Sequence, residues 1–336
     1  MRIGVISLTL FCIGLVACQS QLLPNDRDAA KNNTSSTQKQ CYLDQKIPSM
    51  GTFLELQLVS TCGSAQLPNA ILAIKNRLDS LEAELSLYQK DSALSRLNKF
   101  GQVDKVSSDF LTILRLSLEH NLNTDGAFNI GVEPILEEIR NSLKNGNQPK
   151  NLSGFRNLLD LKQVLIQQNR VSFKTKGMKL TFDGVAKGYA VDEIASLLEQ
   201  RGIENYLVNF SGNMRWRGHR EDAQNWKIAI WDPVSSLAIQ IANRQRGAIA
   251  SSGIDYNHYS TDKKWHHIID PRTLRPANEN TAATVIGTSA TICDILSTTT
   301  FILNEKDRQK IYLDRYSEYG YWVRSKEDHI FTFRIE

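Results

Sequence analysis

Apolar residues recur at three- and four-residue steps from Asn69 to Tyr88, at Ile71, Ile74, Leu78, Leu81 and Leu85. That period predicts an amphipathic helix, with Pro68 marking its start and Tyr88 closing it. Ser107 to His120 repeats the pattern through Phe110, Ile113, Leu114 and Leu118. A third helix is expected over Val185 to Gln200, with Gly202 as its C-cap. Ser289 or Thr291 caps a fourth that runs to Leu303. Shorter alternating or apolar runs read as strands: Gly51 to Val59, Val164 to Gln167, Arg170 to Phe173, Met178 to Phe182, Tyr206 to Phe210, Trp226 to Trp231, Leu237 to Ala242, Ala248 to Ser251 and Ala282 to Gly287. Tyr321 to Arg324 and Ile330 to Arg334 form a closing hairpin. Strands in runs, interrupted by a few long helices, predict an α+β fold.

The N-terminus breaks this texture. Met1-Arg2 supply a positive start, and Ile3 to Val16 are almost wholly apolar. The run is short for a bilayer span and ends in small residues, as a secretory signal does. Its last residues, Leu15-Val16-Ala17-Cys18, resemble a bacterial lipobox, in which Cys18 is lipidated; a plain signal peptide with a chance cysteine is the alternative. No Asp follows Cys18, so a lipid-anchored protein of the cell membrane or outer membrane, facing the periplasm, is expected. Gln19 to Gln40 is polar, with almost no large apolar residue, and reads as a flexible tether. Residues 41–336 then form one globular domain.

Charge narrows the partners. Forty Lys and Arg against 36 Asp and Glu give a formal net charge of +4, scattered rather than clustered, so no nucleic-acid stripe is present. Of the five cysteines, Cys12 leaves with the signal and Cys293 falls in an apolar helix as a buried thiol. Cys41 and Cys62 flank a strand, and an oxidising compartment permits a disulfide between them without requiring one.

Four features carry candidate chemistry. In Asp183-Gly184-Val185-Ala186-Lys187-Gly188, glycines flank a lysine where a strand turns into a helix. Exposed backbone and a cation suit a phosphate; a tight turn with a solvent-facing lysine explains the pattern equally. Asp294 and Thr298 lie at i and i+4 and share a helix face. Two oxygens so placed suit Mg²⁺, though Asp-x-x-x-Thr is common, and from spacing alone a polar helix face or a threonine bonding back to its own helix is the plainer reading. The pair His266-His267 ends a polar hairpin beginning near Tyr256; a histidine can accept a hydroxyl proton near neutral pH, but on the pair alone surface or sheet-edge histidines are the plainer reading. Tyr88 offers a ring for stacking. No HExxH, CxxC or Walker A pattern occurs.

Taken in order along the chain, these segments resemble the ApbE family of flavin transferases and flavin-trafficking lipoproteins. The resemblance runs through Met50-Gly51-Thr52, Tyr88 to Asn98, Thr124 to Asn129, Asp183 to Asp192, Val208 to Asn213, Ser251-Ser252-Gly253, His267 to Thr273 and Asp294 to Thr298. It implies a T-fold-like α+β domain, with antiparallel sheets and a few long helices around an FAD cleft. It implies Mg²⁺ held by Gly184, Asp294, Ser297 and Thr298. It also implies flavin contacts from Met50, Tyr88, Ala127, Phe128, Asn129, Thr181, Lys187 and His267 or Ile268, with His267 as the candidate base. The implied reaction moves FMN from FAD to a threonine hydroxyl of an acceptor, a subunit of a quinone-reductase or Rnf-type membrane redox pump, and releases AMP. An FAD pyrophosphatase, or a flavin-binding lipoprotein with little turnover, are the alternatives. Thr181 and Asn129 each replace an Asp of the family pattern, Ser211 replaces a glycine, and Asp183 stands where a small residue is usual; a Trp-Gly-Phe insert after Pro134 is absent. Asp183 either repels a diphosphate or adds a metal ligand.

Overall fold

Leu54, Leu56 and Leu58 alternate with residues open to solvent, and all three are fully buried. A strand with that pattern shows one face to a core. The computed structural model describes residues 40–61, 66–255, 258–325 and 329–332. The signal segment with Cys18, the tether up to residue 39, and Cys62 lie outside the described residues. Cys41 is held in a disulfide.

In chain order the strands and helices are β1 (Gln40–Ser49), β2 (Thr52–Thr61), α1 (Gln66–Leu85), α2 (Ala93–Phe100), β3 (Gln102–Val103), α3 (Ser108–Asn123), α4 (Glu133–Lys144), β4 (Val164–Gln167) and β5 (Arg170–Phe173). They continue with α5 (Ala186–Gln200), β6 (Asn205–Phe210), β7 (Asn213–Arg217), β8 (Trp226–Asp232), β9 (Leu237–Arg244), β10 (Arg246–Gly253), β11 (Ile269–Asp270) and β12 (Arg275–Pro276). The last are β13 (Asn280–Gly287), α6 (Ala290–Ile302), α7 (Glu305–Arg315), β14 (Gly320–Ser325) and β15 (His329–Thr332).

One eight-stranded antiparallel sheet, ordered β1-β2-β6-β7-β10-β13-β14-β15, organises the molecule. Alternation along its strands separates two cores. Ala248 and Ala250 of β10, with Ala283 and Val285 of β13, face the layer of α1, α5 and α6. Their neighbours Ile249 and Ile286 face the other way, with Trp216 and Trp322, under Trp226, Ile228 and Ile230 of the β8–β9 hairpin. Small residues on the helix side let α6 lie close to the sheet. Eleven of its thirteen residues are buried, Asp294 and several hydroxyl side chains among them.

The structure corrects the expected boundaries. Helix α1 stops at Leu85, and Tyr88 lies beyond it. The Ser86 hydroxyl accepts from the Tyr88 and Gln89 amides at 3.1 Å, which turns the chain out of the helix. Met178–Phe182 is not a strand. Its backbone bonds go elsewhere: Asn98 brackets Leu180, accepting from its N–H and donating to its C=O, each at 2.8 Å, and Thr181 N–H reaches the Ile130 carbonyl. Strand β1 already begins at Gln40, the last residue of the expected tether.

Candidate active site

The site grows from one close approach of two helices. Gly188 lies in the first turn of α5, and a Cβ there would fall 2.4 Å from the Ala290 carbonyl oxygen and 2.7 Å from Asp294 Cβ. Only glycine permits that contact. It brings the Gly188 N–H within 3.0 Å of Asp294 Oδ2. Ser289 caps α6, and Asp192 of α5 accepts from the Ser289 and Thr291 hydroxyls and from the Ala290 and Thr291 amides. The two helix starts are therefore locked together.

Asp294 is almost fully buried. Burial pushes its carboxyl above the ordinary range, while Lys187, the Gly188 amide and the Asn213 side chain pull it back and Asp183 raises it further. Thr298, one turn on, faces the same space, and an added Cβ on Gly184 would sit 3.1 Å from its Oγ1. Ser252 of β10 closes the group, with its hydroxyl 3.3 Å from Thr298 Oγ1 and 2.8 Å from Ser297 Oγ.

These residues border one cavity of about 110 Å³. Asp294, Thr298, Gly184 and Lys187 line it on one side, and Ala127, Phe128, Asn129 and Thr181 on another; His267 and Ile268 also border it. The sequence expectation thus converges in space. Lys187 Nζ donates to the Asp183 carbonyl at 3.2 Å, and the exposed Asp183 carboxylate also lines the cavity. Tyr88 is 83% exposed, and the nearby Asp183 charge raises its phenol above the ordinary range. Tyr88, Met50 and Ser297 do not line the cavity. Met50 occupies the β1–β2 turn with φ 47°, its N–H donating to Glu82. Ser297 is fully buried, its hydroxyl donating to the Asp294 carbonyl.

Two residues have side chains already engaged. Asn129 accepts from the Gly131 N–H and donates to the Leu159 carbonyl. Thr181 accepts from the Asp183 N–H. The histidines divide cleanly. His266 is fully buried, stands edge-on to Phe301 and accepts from the Ile268 N–H, whereas His267 is half-buried on the cavity wall.

Asn213 and Ser252 also line the cavity. Both fall inside segments quoted for the family resemblance, but neither carried a role there. Only the fold shows that the tight β6–β7 turn at Ser211-Gly212, with φ 52° and 92°, brings Asn213 to Asp294.

The available oxygen donors are the Asp294 and Asp183 carboxylates, hydroxyls that include those of Thr298 and Ser252, and nearby main-chain carbonyls. Such a set fits a hard cation that keeps waters and shares phosphate oxygens. Among the described residues no cluster of three or more His, Cys, Asp or Glu side chains is suited to a metal ion, so phosphate oxygens and water must complete the shell of any cation here.

A family profile, that of the ApbE family, matches residues 50–319. The chain belongs to the ApbE family. Every cavity residue named above falls within the ApbE-matched span. An FAD:protein FMN transferase of Vibrio cholerae serotype O1 is 30% identical over 271 residues, covering 77% of this chain and 80% of that protein. The Escherichia coli K12 protein of the same name is 30% identical over 280 residues, 78% of each chain. The solved flavin transferase ApbE from Vibrio cholerae superposes with a TM-score of 0.72 at 27% identity, covering 87% of this chain and 95% of its own. The ApbE protein of Thermotoga maritima shares the fold, with a TM-score of 0.77 at 24% identity over 87% of this chain and 97% of its own.

Proposed function

We propose that this protein transfers the FMN half of FAD to a threonine hydroxyl of an acceptor flavoprotein, releasing AMP, with Mg²⁺ as cofactor. The names of its curated relatives support flavin transfer. The observation that carries the finer reading is the convergence of buried Asp294, Thr298, Lys187 and His267 on one cavity.

The threonine Oγ forms a bond to the FMN-side phosphorus. The bridging bond to the AMP phosphate breaks, and AMP departs with that electron pair. His267 takes the hydroxyl proton. Asp294, Thr298 and the main-chain oxygens of Gly184 and Ser297 would hold Mg²⁺, which offsets negative charge on the diphosphate when bound. Lys187 adds a fixed positive charge at the start of α5, where helical N–H groups already favour phosphate. Ala127, Phe128, Ile268 and exposed Tyr88 supply apolar and aromatic surface for the flavin. The sequence supports anchoring through lipidated Cys18, with the domain facing the periplasm and acting on a quinone-reductase or Rnf-type redox-pump subunit.

The test incubates the purified protein with FAD, Mg²⁺ and a threonine-bearing acceptor subunit. A fluorescent acceptor band on a denaturing gel, with equimolar AMP, is expected. AMP without that band would mean hydrolysis, and intact bound FAD would mean storage. Asp294→Ala should abolish turnover. His267→Ala should lower the rate about 10²-fold or more while FAD binding changes little.

A further inference from the structure

Asn213 is 1% exposed, lines the cavity, and has neither polar side-chain atom in a completed hydrogen bond. Few buried amides in folded proteins are left in that state, because each unpaired group costs about 1–3 kcal/mol. The turn before it is built with care. Ser211 and Gly212 both take positive φ, Gly212 N–H donates to the Asn209 side chain at 2.9 Å, and the Ser211 hydroxyl lies 2.7 Å from that of Thr52. The Asn213 amide lies close enough to the Asp294 carboxylate to favour its charged form, short of a completed hydrogen bond, and its Oδ1 meets no donor, which leaves it open to something that arrives with the ligand.

We propose that Asn213 is a positioning residue of the transfer site: its amide N–H orients the Asp294 carboxylate, and its Oδ1 accepts from a water carried in by the divalent cation. This rests on the Mg²⁺ reading above. The chemistry matches on both sides. A carboxylate ligand accepts from neighbours that fix its direction, and such supporting groups are worth about 10–100-fold in metal affinity. Magnesium keeps several of its waters, and those waters are donors in search of acceptors. Ser252 and Thr298 already share a hydrogen bond, and Asp294 holds Gly188. Asn213 Oδ1 is the cavity's uncommitted amide acceptor.

The test titrates Mn²⁺, a paramagnetic stand-in for Mg²⁺, into the full chain in detergent with FAD present. Bound ion is read by electron paramagnetic resonance, and the metal-free melting temperature is measured in parallel. Wild type, Asn213→Leu, Asn213→Ala and Asp294→Ala are compared. Both Asn213 variants should bind Mn²⁺ about 10–100-fold more weakly. The metal-free Asn213→Leu protein should melt no lower than wild type, since an apolar group replaces an unpaired polar one. Mn²⁺ affinity within twofold of wild type in both variants, while Asp294→Ala loses the ion, would overturn this role alone. Affinity that falls only in step with a lowered metal-free melting temperature would also overturn it, by marking Asn213 as a folding residue. If the wild type itself takes up no Mn²⁺ with FAD present, the metal reading falls and this role with it.

Discussion

Asp294 sets the cost of the site at the scale of one residue. Its carboxyl is buried and raised above its ordinary value near 3.8, chiefly by burial. A raised acid binds its proton more tightly in the folded state. Its contribution to stability is therefore complete below the unfolded value and is lost as pH rises through the folded one. Without a cation bound, the surroundings of this carboxyl favour its neutral form over its charged one. Asp294→Asn, neutral at every pH, should then leave the metal-free protein at least as stable as wild type at pH 7, while removing divalent binding. Urea unfolding with a chelator present reads the first effect. A variant less stable than wild type at pH 7 would show that the Gly188 bond outweighs the burial. The spacing of Asp294 and Thr298 was legible because a helix maps i and i+4 to one face. Asn213 was not, because its value depends on a turn whose two positive φ angles no local pattern announces.

At the scale of elements, three helices are joined by one buried-edge cluster. Arg77 of α1 grips Asp109 of α3 through two bonds of 2.7 and 2.6 Å and reaches Glu193 of α5 at 2.5 Å; Tyr189 of α5 also donates to Asp109. The Arg77 guanidinium holds the Asp109 carboxyl below its usual range. A lowered acid contributes stability that is present above the unfolded value and lost as pH falls through the folded one. Asp109→Asn should cost about 1–3 kcal/mol at pH 7, and its stability should fall less steeply than that of wild type below about pH 4. Parallel unfolding curves for the two proteins between pH 5 and pH 3 would remove Asp109 from the acid response. The helices in this cluster were readable because each shows a repeating apolar stripe. Helix α2, only eight residues long, was not; its ends are set by the Ser92 cap and by Gly101 at φ 72°. Met178–Phe182 has the alternation of a strand, but the Asn98 side chain occupies the backbone groups a neighbouring strand would need.

At the scale of the molecule, the cavity draws on regions far apart in sequence: the segment before α4, the starts of α5 and β7, the end of β10, the segment before β11, and α6. A ligand that touches all of them binds the folded chain and not the unfolded one, so it must raise global stability. At one hundred times its dissociation constant the gain is about 2.7 kcal/mol, which for a chain of this size is a rise of about 5 °C in melting temperature. The diphosphate and cation each complete a partial set of partners for the other. FAD alone and Mg²⁺ alone should therefore each shift melting by less than half of what both achieve together. Thr298→Val removes one hydroxyl donor at nearly constant volume, so it should keep the shift with FAD alone and lose the extra shift with Mg²⁺. Differential scanning fluorimetry at fixed FAD, with Mg²⁺ or chelator, measures this directly. A shift with FAD that is the same in chelator as in Mg²⁺ would mean that the flavin surface alone holds the ligand, and that Asp294 and Thr298 serve the packing of α6 against α5 rather than a cation.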